Sequence, residues 1–586
     1  MYVIFKPTQL LFILTILFMP VIHAGIINVK DFGAVGDGVA NDLPAFNAAL
    51  DALRKPSRIP NTLLIPDGNY RLGLAEDPEA KAHLHIEDMK NLIITGETAS
   101  HLIFASPYHQ GILIHRSKNI TVRNLTMDYD PLPFTQGIVT AVGIEENMIE
   151  VKIEDGYDAP TEKHLDFTKA TGKNVGYVFD PETGRKLNQY FDQYLRKPVQ
   201  DMGEGVFRYN SDNDVSEEFI GKRFAVIGRR KANAIKVDGS DGCLIENIAV
   251  YSAPACGYNV SGSSNVTIDR CAIKQKPGTT RVMSTNADGL HSKWCSVGPT
   301  LSNSYFTGMG DDSVNIGGSY TPIIDQIDDY TIVVETHGSI TSAPADIVSF
   351  NRETHDHFGL GPVKTIHATK VEGYDRGCLE ITFEQKLPSF VTWKTTQHKR
   401  KADQILNLNT CGKGSKILNN HFYSHRVRGV LMRGPDSIIR GNHFDTLAGP
   451  AIVVSNDGGF LSEGPSGNGT IIANNRFTNI ERSNIWINSS VGDQSTIATK
   501  GVTGVKILDN IFENYGGENI YGRGEVGNVL FIKNASDLII KGNRIGTART
   551  EGTPVILNAT GSIAWEKNTI LNRDLEQSKD FSVAQE

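Results

Sequence analysis

One unit recurs along most of this chain. It is a short β-branched run, one or two polar residues, an Asn, then an apolar or aromatic residue. It reads clearly in Ile417-Leu-Asn-Asn420-His-Phe422, Ile438-Ile-Arg-Gly-Asn442-His-Phe444 and Ile471-Ile-Ala-Asn-Asn475-Arg-Phe477. It continues in Ile507-Leu-Asp-Asn510-Ile-Phe512, Ile539-Ile-Lys-Gly-Asn543-Arg-Ile545 and Trp565-Glu-Lys-Asn568-Thr-Ile570. From Asn420 onward the anchors fall 22, 33, 35, 33 and 25 residues apart. Short strands at such a period suit a coil in which each turn stacks on the last. Asn tolerates left-handed backbone at a turn, and its amide can stack from coil to coil. A hairpin sandwich would instead show Asn-Gly or Asp-Gly turns between alternating strands. The expected fold is all-β, a right-handed parallel β-helix.

The start of the chain fits this. Ile27-Asn-Val-Lys-Asp31-Phe-Gly-Ala34, with Gly36-Asp-Gly38 and Asn41-Asp42, resembles the opening of pectinase-type β-helix enzymes. Phe46, Ala49, Leu50 and Leu53 follow at helical spacing, with Asn41 or Asp42 as N-cap and Pro44 in the first turn. Such a helix can plug the open end of the coil stack. Before it, Met1 to Ala24 reads as an export signal, with Lys6 ahead of a short apolar core. Two stretches break the coil pattern with period-two alternation. The expected division is therefore signal 1–24, cap and first coils 25–130, inserted β-barrel-like domain 131–230, and coils 231–319. A second such insertion, 320–405, and C-terminal coils 406–586 follow.

The net charge of −8 comes from 58 basic and 66 acidic residues, with no basic block. Nucleic acid is thus not an expected partner. Apart from the leader no stretch approaches twenty apolar residues, so no membrane insertion is expected either. Six cysteines fit no zinc spacing, and buried Cys commonly packs as a small apolar residue. The sequence leaves a homo-oligomer open.

Three aspartates then stand out. Asp288 lies in Asn286-Ala-Asp288-Gly-Leu-His291. The pair Asp311-Asp312 follows 23 and 24 residues later, in Gly308-Met-Gly-Asp311-Asp312-Ser-Val-Asn315. That distance is one coil, so three carboxyl groups would crowd one patch, where proximity pushes their pKa values apart. Aligning coils by Asn anchors sets Asp288 level with Asp312. It sets Asn259, His291 and Asn315 in an outward polar row about 4.8 Å apart. The same count puts Arg428 one coil beyond Asp311, where its guanidinium could orient a carboxylate or a sugar hydroxyl. Consecutive strand residues face opposite ways. Both paired aspartates can reach solvent only from a turn, for which Gly308 and Gly310 supply freedom.

No His-Glu-x-x-His, Walker loop or Gly-x-Ser-x-Gly occurs. His83/His85 and His355-Asp-His357 offer paired imidazoles, but alternating His in β-rich segments is commonly surface. No metal or other cofactor is expected.

Asn286-Ala-Asp288-Gly and Gly310-Asp311-Asp312 resemble the polygalacturonases of glycoside hydrolase family 28. The Gly-His-Gly and Arg-x-Lys of that family are absent, and His425-Arg426-Val-Arg428 stands in place of the latter. The chain is more similar to glycoside hydrolase family 110. The likeness includes the three-aspartate spacing, Arg428-Gly-Val-Leu, Asn456-Asp457 and Glu463-Gly-Pro. That resemblance implies an exo-acting α-1,3-galactosidase, acting with inversion on a galactose-containing glycan. Asp311 would be the general acid, and Asp288 and Asp312 would activate water. A hydrolase of another galactose-type polymer and a non-catalytic glycan binder stay open at this point.

Overall fold

The computed structural model describes residues 25–570 apart from 55–59, 75–79, 163–164, 166–173, 229–230, 337–339, 341–345, 351–355, 459–460, 491–500, 518–526, 550–554 and 559–560. The expected leader Met1–Ala24 and His355 lie outside the described residues. The rest form a parallel β-helix whose two long sheets hold 24 and 12 strands. Right-handed crossovers are the rule for such parallel strands.

One coil shows the logic. Strand Lys416–Leu418 ends at Asn419, whose φ of 55° turns the chain. Asn420 follows, then strand His421–Tyr423, a longer turn, and strand Val430–Met432. Ile417, Phe422, Val430 and Met432 point inward and are fully buried. The next coil lies on it in strict register, Ile417 to Ile439, Phe422 to Phe444 and Val430 to Ile452. Phe422, Phe444, Phe477 and Phe512 stack up the axis with ring centroids 5.2, 5.1 and 4.8 Å apart.

The two properties expected of Asn are split between neighbours. The left-handed residue is Asn419, Gly441, Asn474, Asp509, Gly542 or Lys567. The stacking residue is the one after it. Asn420, Asn442, Asn475, Asn510, Asn543 and Asn568 form a ladder in which each side-chain oxygen accepts from the backbone N–H and the amide of the Asn below. Each amide's second proton goes to a backbone carbonyl, as from Asn475 to Ile439 at 2.9 Å. One coil earlier the ladder position is Ser304, whose N–H donates to Asn420 Oδ1 at 2.9 Å. Cys271 sits in the ladder position before that, its N–H donating to Ser304 Oγ. All six cysteines are buried thiols outside any disulfide.

At the N-terminal end helix Leu43–Ala52 buries Phe46, Ala49 and Leu50 against the first coils. Asp42 holds the N-cap position but does not cap with its side chain. Its carboxylate accepts from Val35 and Gly36 instead, at 2.6 and 3.2 Å.

The first interruption closes into a six-stranded antiparallel barrel spanning Phe134–Gly143 to Arg223–Ile227. Its own core includes Ile149, Val151, Phe207 and Phe224. The second, from strand Thr321–Gln326 to strand Gln404–Asn407, is a seven-stranded antiparallel sheet. Among the described residues it does not close into a ring. Its two edge strands, His357–Gly359 and Val363–Thr369, are separated by residues 360–362 alone, so the sheet curls over a single core of Ile323, Ile332, Ile381 and Ile405.

The ladder makes a graded prediction. Asn475 satisfies four buried partners, so Asn475→Ala should cost about 3 kcal/mol. Asn568, at the half-exposed end, should cost clearly less as alanine because water replaces the lost bonds. Denaturant melts of the two variants against the parent chain test this; equal losses would contradict it.

Candidate active site

Strands Tyr258–Ser261, Leu290–Lys293 and Val314–Ser319 lie side by side on the smaller sheet. Their register sets Asn259 beside His291 and His291 beside Asn315. Leu290 and Val314 face the core. The polar row stops at the next coil, where Leu431 pairs with Asn315. Asp288 and Asp312 each stand two residues before an inward anchor, and the Gly289 N–H donates to the Asp312 carbonyl at 2.8 Å. The level placement of these two aspartates is therefore fixed by backbone pairing.

Asp311 comes from the turn ahead of Asp312. Gly308 there holds φ 72°, which suits glycine. Gly310 is needed for another reason: a Cβ on it would stand 2.7 Å from the Asn286 carbonyl oxygen. Asp288, Asp311 and Asp312 present oxygens that lie within 4.8 Å of one another. The same spacing would let them hold a cation. Together with Asn259, His291, Asn315 and Arg428 they line one cavity of about 630 Å³, so all seven residues singled out in the sequence meet there.

The arginines differ from expectation by one residue. Arg428 sits on Asp312, with Nε 2.8 Å from Oδ1 and its backbone N–H on the same oxygen at 3.2 Å. The guanidinium beside Asp311 belongs to Arg426, Nη1 to Oδ1 3.2 Å. The anchor count slipped because Ser304, not Asn303, is level with Asn420. Arg426 also binds Asp192 at 2.7 Å, and Asp192 belongs to the barrel. Asn286 likewise donates to the carbonyls of Pro133 and Gly228, where the barrel joins the coil. The first insertion thus braces the acidic turn, which the sequence alone did not reveal.

Burial is the main influence on Asp312, which is only 1 % exposed. It raises the carboxyl to about 7 against the pull of Arg428, and Asp311 and Asp288 add to the rise. His291 Nδ1 lies 2.6 Å from Asp288 Oδ2, which fixes the ring.

Further residues shape the cavity, among them Glu463 and Trp294. Glu463 is on a short strand antiparallel to the end of Val314–Ser319. Burial would raise its carboxyl, but Arg433 at 2.8 Å and Lys293 hold it down at about 2, so it stays ionised. Trp294 follows the site strand with φ 60°, rare for so bulky a residue, and its indole N–H donates to Ser319 Oγ. The resemblance includes Glu463-Gly-Pro without giving it a role, and only the antiparallel return of that segment brings it here.

Residues 26–182 match the family described as rhamnogalacturonase A/epimerase, pectate lyase-like. Alpha-1,3-galactosidase B of Bacteroides thetaiotaomicron is 25% identical over 484 residues, covering 77% of this chain and 75% of its own. Alpha-1,3-galactosidase A of Shewanella woodyi is 23% identical over 576 residues, covering 93% and 91%. Among solved structures, an exopolygalacturonase of Thermotoga maritima aligns with 13% identity and TM-score 0.42, over 94% of this chain and 92% of its own. The coil architecture rests on the strand registers above rather than on that likeness. In sequence, along most of its length, this chain is a distant homologue of proteins named alpha-1,3-galactosidase.

Proposed function

We propose that this protein is a glycoside hydrolase that removes terminal α-1,3-linked galactose from oligo- or polysaccharides, with inversion. The observation that carries the chemistry is the cluster of three carboxyls, one of them held near neutral in its titration, at the floor of a cavity. The linkage comes from the relatives named for it. Export of the enzyme, from the reading of Met1–Ala24, belongs to the same proposal.

The Asp312 carboxyl feels the charges of both Asp311 and Asp288. In the free enzyme the retained proton rests on Asp312, the most buried of the three. When a glycosidic oxygen docks at Asp311, the proton passes to Asp311 and on to the leaving sugar. Asp312 is left ionised against Arg428. It shares with Asp288 the task of taking a proton from the attacking water, while His291 steadies Asp288. Asn259, Asn315 and the ionised Glu463 offer hydrogen-bond partners for sugar hydroxyls along the cavity wall. The polar row ends at Leu431, and Leu461 with Glu463 walls that side, which suits attack at a chain end. Arg426 and Arg428 are both committed to carboxylates of the protein itself, so neither is spare to grip a uronate.

The proton on the cluster sets a pH dependence. Asp312 is raised from 3.8 to about 7. The stability this contributes is full below about pH 4 and is lost as pH rises through about 7. The rate constant kcat/KM should fall over the same upper range as the proton leaves. Asp312→Asn, neutral at every pH, should be no less stable than the parent at pH 8 yet lose at least ~100-fold in rate. Asp288→Asn and Asp311→Asn should lose similarly. A rate that climbs through pH 7, or an Asp→Asn variant with near-parental turnover, would break these assignments.

Specificity is tested by galactose release from α-1,3-, α-1,4- and α-1,6-linked digalactosides, with polygalacturonate alongside, each with and without chelator. The expected result is free galactose from the α-1,3 compound, unchanged by chelator. Oligogalacturonides from the polymer and no galactose from the α-1,3 compound would replace this reading with a polygalacturonase-like one.

A further inference from the structure

Away from the cavity, a cluster on the early coils holds two buried ring nitrogens that make no hydrogen bond. His85 and Glu87 are alternate residues of strand Ala82–Glu87, and His115 ends the next strand, Gln110–His115. Leu84 and Ile86 between them face the core, so the polar side chains face out. The parallel register sets Glu87 beside His115. His115 Nδ1 lies 3.2 Å from Glu87 Oε1, and His85 Nε2 lies 4.0 Å from Glu87 Oε2. Donor atoms of all three residues lie within 4.8 Å of one another. Yet His85 Nε2 and His115 Nδ1 are both shielded from solvent and make no hydrogen bond. Two orphaned nitrogens around one carboxylate call for an explanation.

An ordinary ion-pair ladder does not supply one. It would set an N–H of each ring on the carboxylate, whereas neither of these ring nitrogens makes a hydrogen bond and His85 Nε2 stands 4.0 Å away. Arg116 also reaches Glu87, at 2.9 Å, but it grips Asp88 through Nε and Nη2 at 3.0 and 2.8 Å. It therefore keeps an anchor if Glu87 turns toward a cation. Behind His115, Nε2 faces Arg116 Nη1 at 3.5 Å, with Asp238 further off at 3.9 Å. His83, which the sequence paired with His85, is taken elsewhere, bonded to the Gln110 carbonyl and the Ser106 N–H. A second group, His421, His443 and Asp445, is less open, because His443 Nε2 already meets Thr478 Oγ1 at 3.1 Å.

We propose that His85, Glu87 and His115 bind a divalent transition-metal ion of the zinc class, clipping two neighbouring coils near the N-terminal end. Two neutral imidazoles and one carboxylate are a common zinc donor set, with water as the fourth ligand. Bonds of about 2.0–2.1 Å place tetrahedral ligands roughly 3.3 Å apart. The His115–Glu87 pair already has that spacing, and the His85–Glu87 pair needs a small side-chain shift. An ion held across two coils binds the folded chain and not the unfolded one, so it stabilises the fold.

The test needs no substrate. Full-length protein, stripped with chelator and exchanged into clean buffer, is titrated with zinc chloride by calorimetry and followed by thermal melting. The parent is expected to take up one zinc more than His85→Ala or His115→Ala. Its melting temperature should rise with zinc by several degrees, a rise both variants lose. Zinc held by the three aspartates would appear equally in all three proteins and so cancels in the difference. Equal uptake and equal melting shifts in parent and variants would overturn the proposal. Circular dichroism of the metal-free variants checks their fold. If either variant misfolds, cobalt absorption of the parent decides: intense d–d bands of a four-coordinate ion with nitrogen and oxygen ligands support the site, and their absence refutes it.

Discussion

The site depends on coil-to-coil register. Asp288 and Asp312 are 24 residues apart in the chain, and Asp312 and Arg428 are 116 apart, with a whole inserted sheet between the latter pair. They meet because each coil must lie on the last with Ile over Ile and Phe over Phe. A slip of one residue would turn the apolar set outward. In the later coils the Asn ladder supplies the polar half of that constraint. Its amides are buried and bonded on every side, so one wrong step leaves several groups unsatisfied at once. Rigidity bought in this way lets the fold hold three carboxyls together that would separate on a looser scaffold.

Holding them has a cost, visible in Asp312. Its burial favours the neutral acid, and Arg428 only partly offsets this. The braces around the cluster are charged pairs drawn from several segments: Arg428 from the next coil, Arg426 tied to Asp192 of the barrel, and Lys293 and Arg433 on Glu463. The first insertion is therefore part of the site's support. It contributes Asp192, and the second insertion leaves the coil just after Ser319, whose strand end pairs with the Glu463 segment.

The coil, the capping helix and the three aspartates were legible because each has a local pattern: a repeat, a helical spacing, a one-coil separation. The polar row of Asn259, His291 and Asn315 followed from the same counting. The arginine assignment slipped because Asn303 and Asn420 look alike in sequence while doing different jobs, one turning the backbone and the other stacking. The first of these is level with Asn419, so Arg428 falls beside Asp312, and Arg426 reaches Asp311 from the turn before it. Asp192 and Glu463 were not legible as site residues. Nothing near Asp192 in sequence marks it, and the resemblance that includes Glu463-Gly-Pro gives that glutamate no role; they arrive only through packing between a barrel and a coil, or through one short antiparallel return. The second insertion has the alternation of barrel strands, yet alternation does not say whether a sheet closes.

Inversion demands a particular spacing of acid and base. Inverting acids and bases usually stand roughly 6.5–9.5 Å apart, and retaining pairs roughly 5–5.5 Å. One oxygen of each carboxyl in this cluster lies within 4.8 Å of the others. Inversion thus requires the attacking water to sit against the outer faces of Asp288 and Asp312 while Asp311 meets the leaving oxygen. Proton NMR of galactose as it first leaves an α-1,3-linked digalactoside tests this directly. The account predicts β-galactose at the earliest times, with the α-anomer growing in only by mutarotation. α-Galactose as the first product would contradict it and make one aspartate a nucleophile.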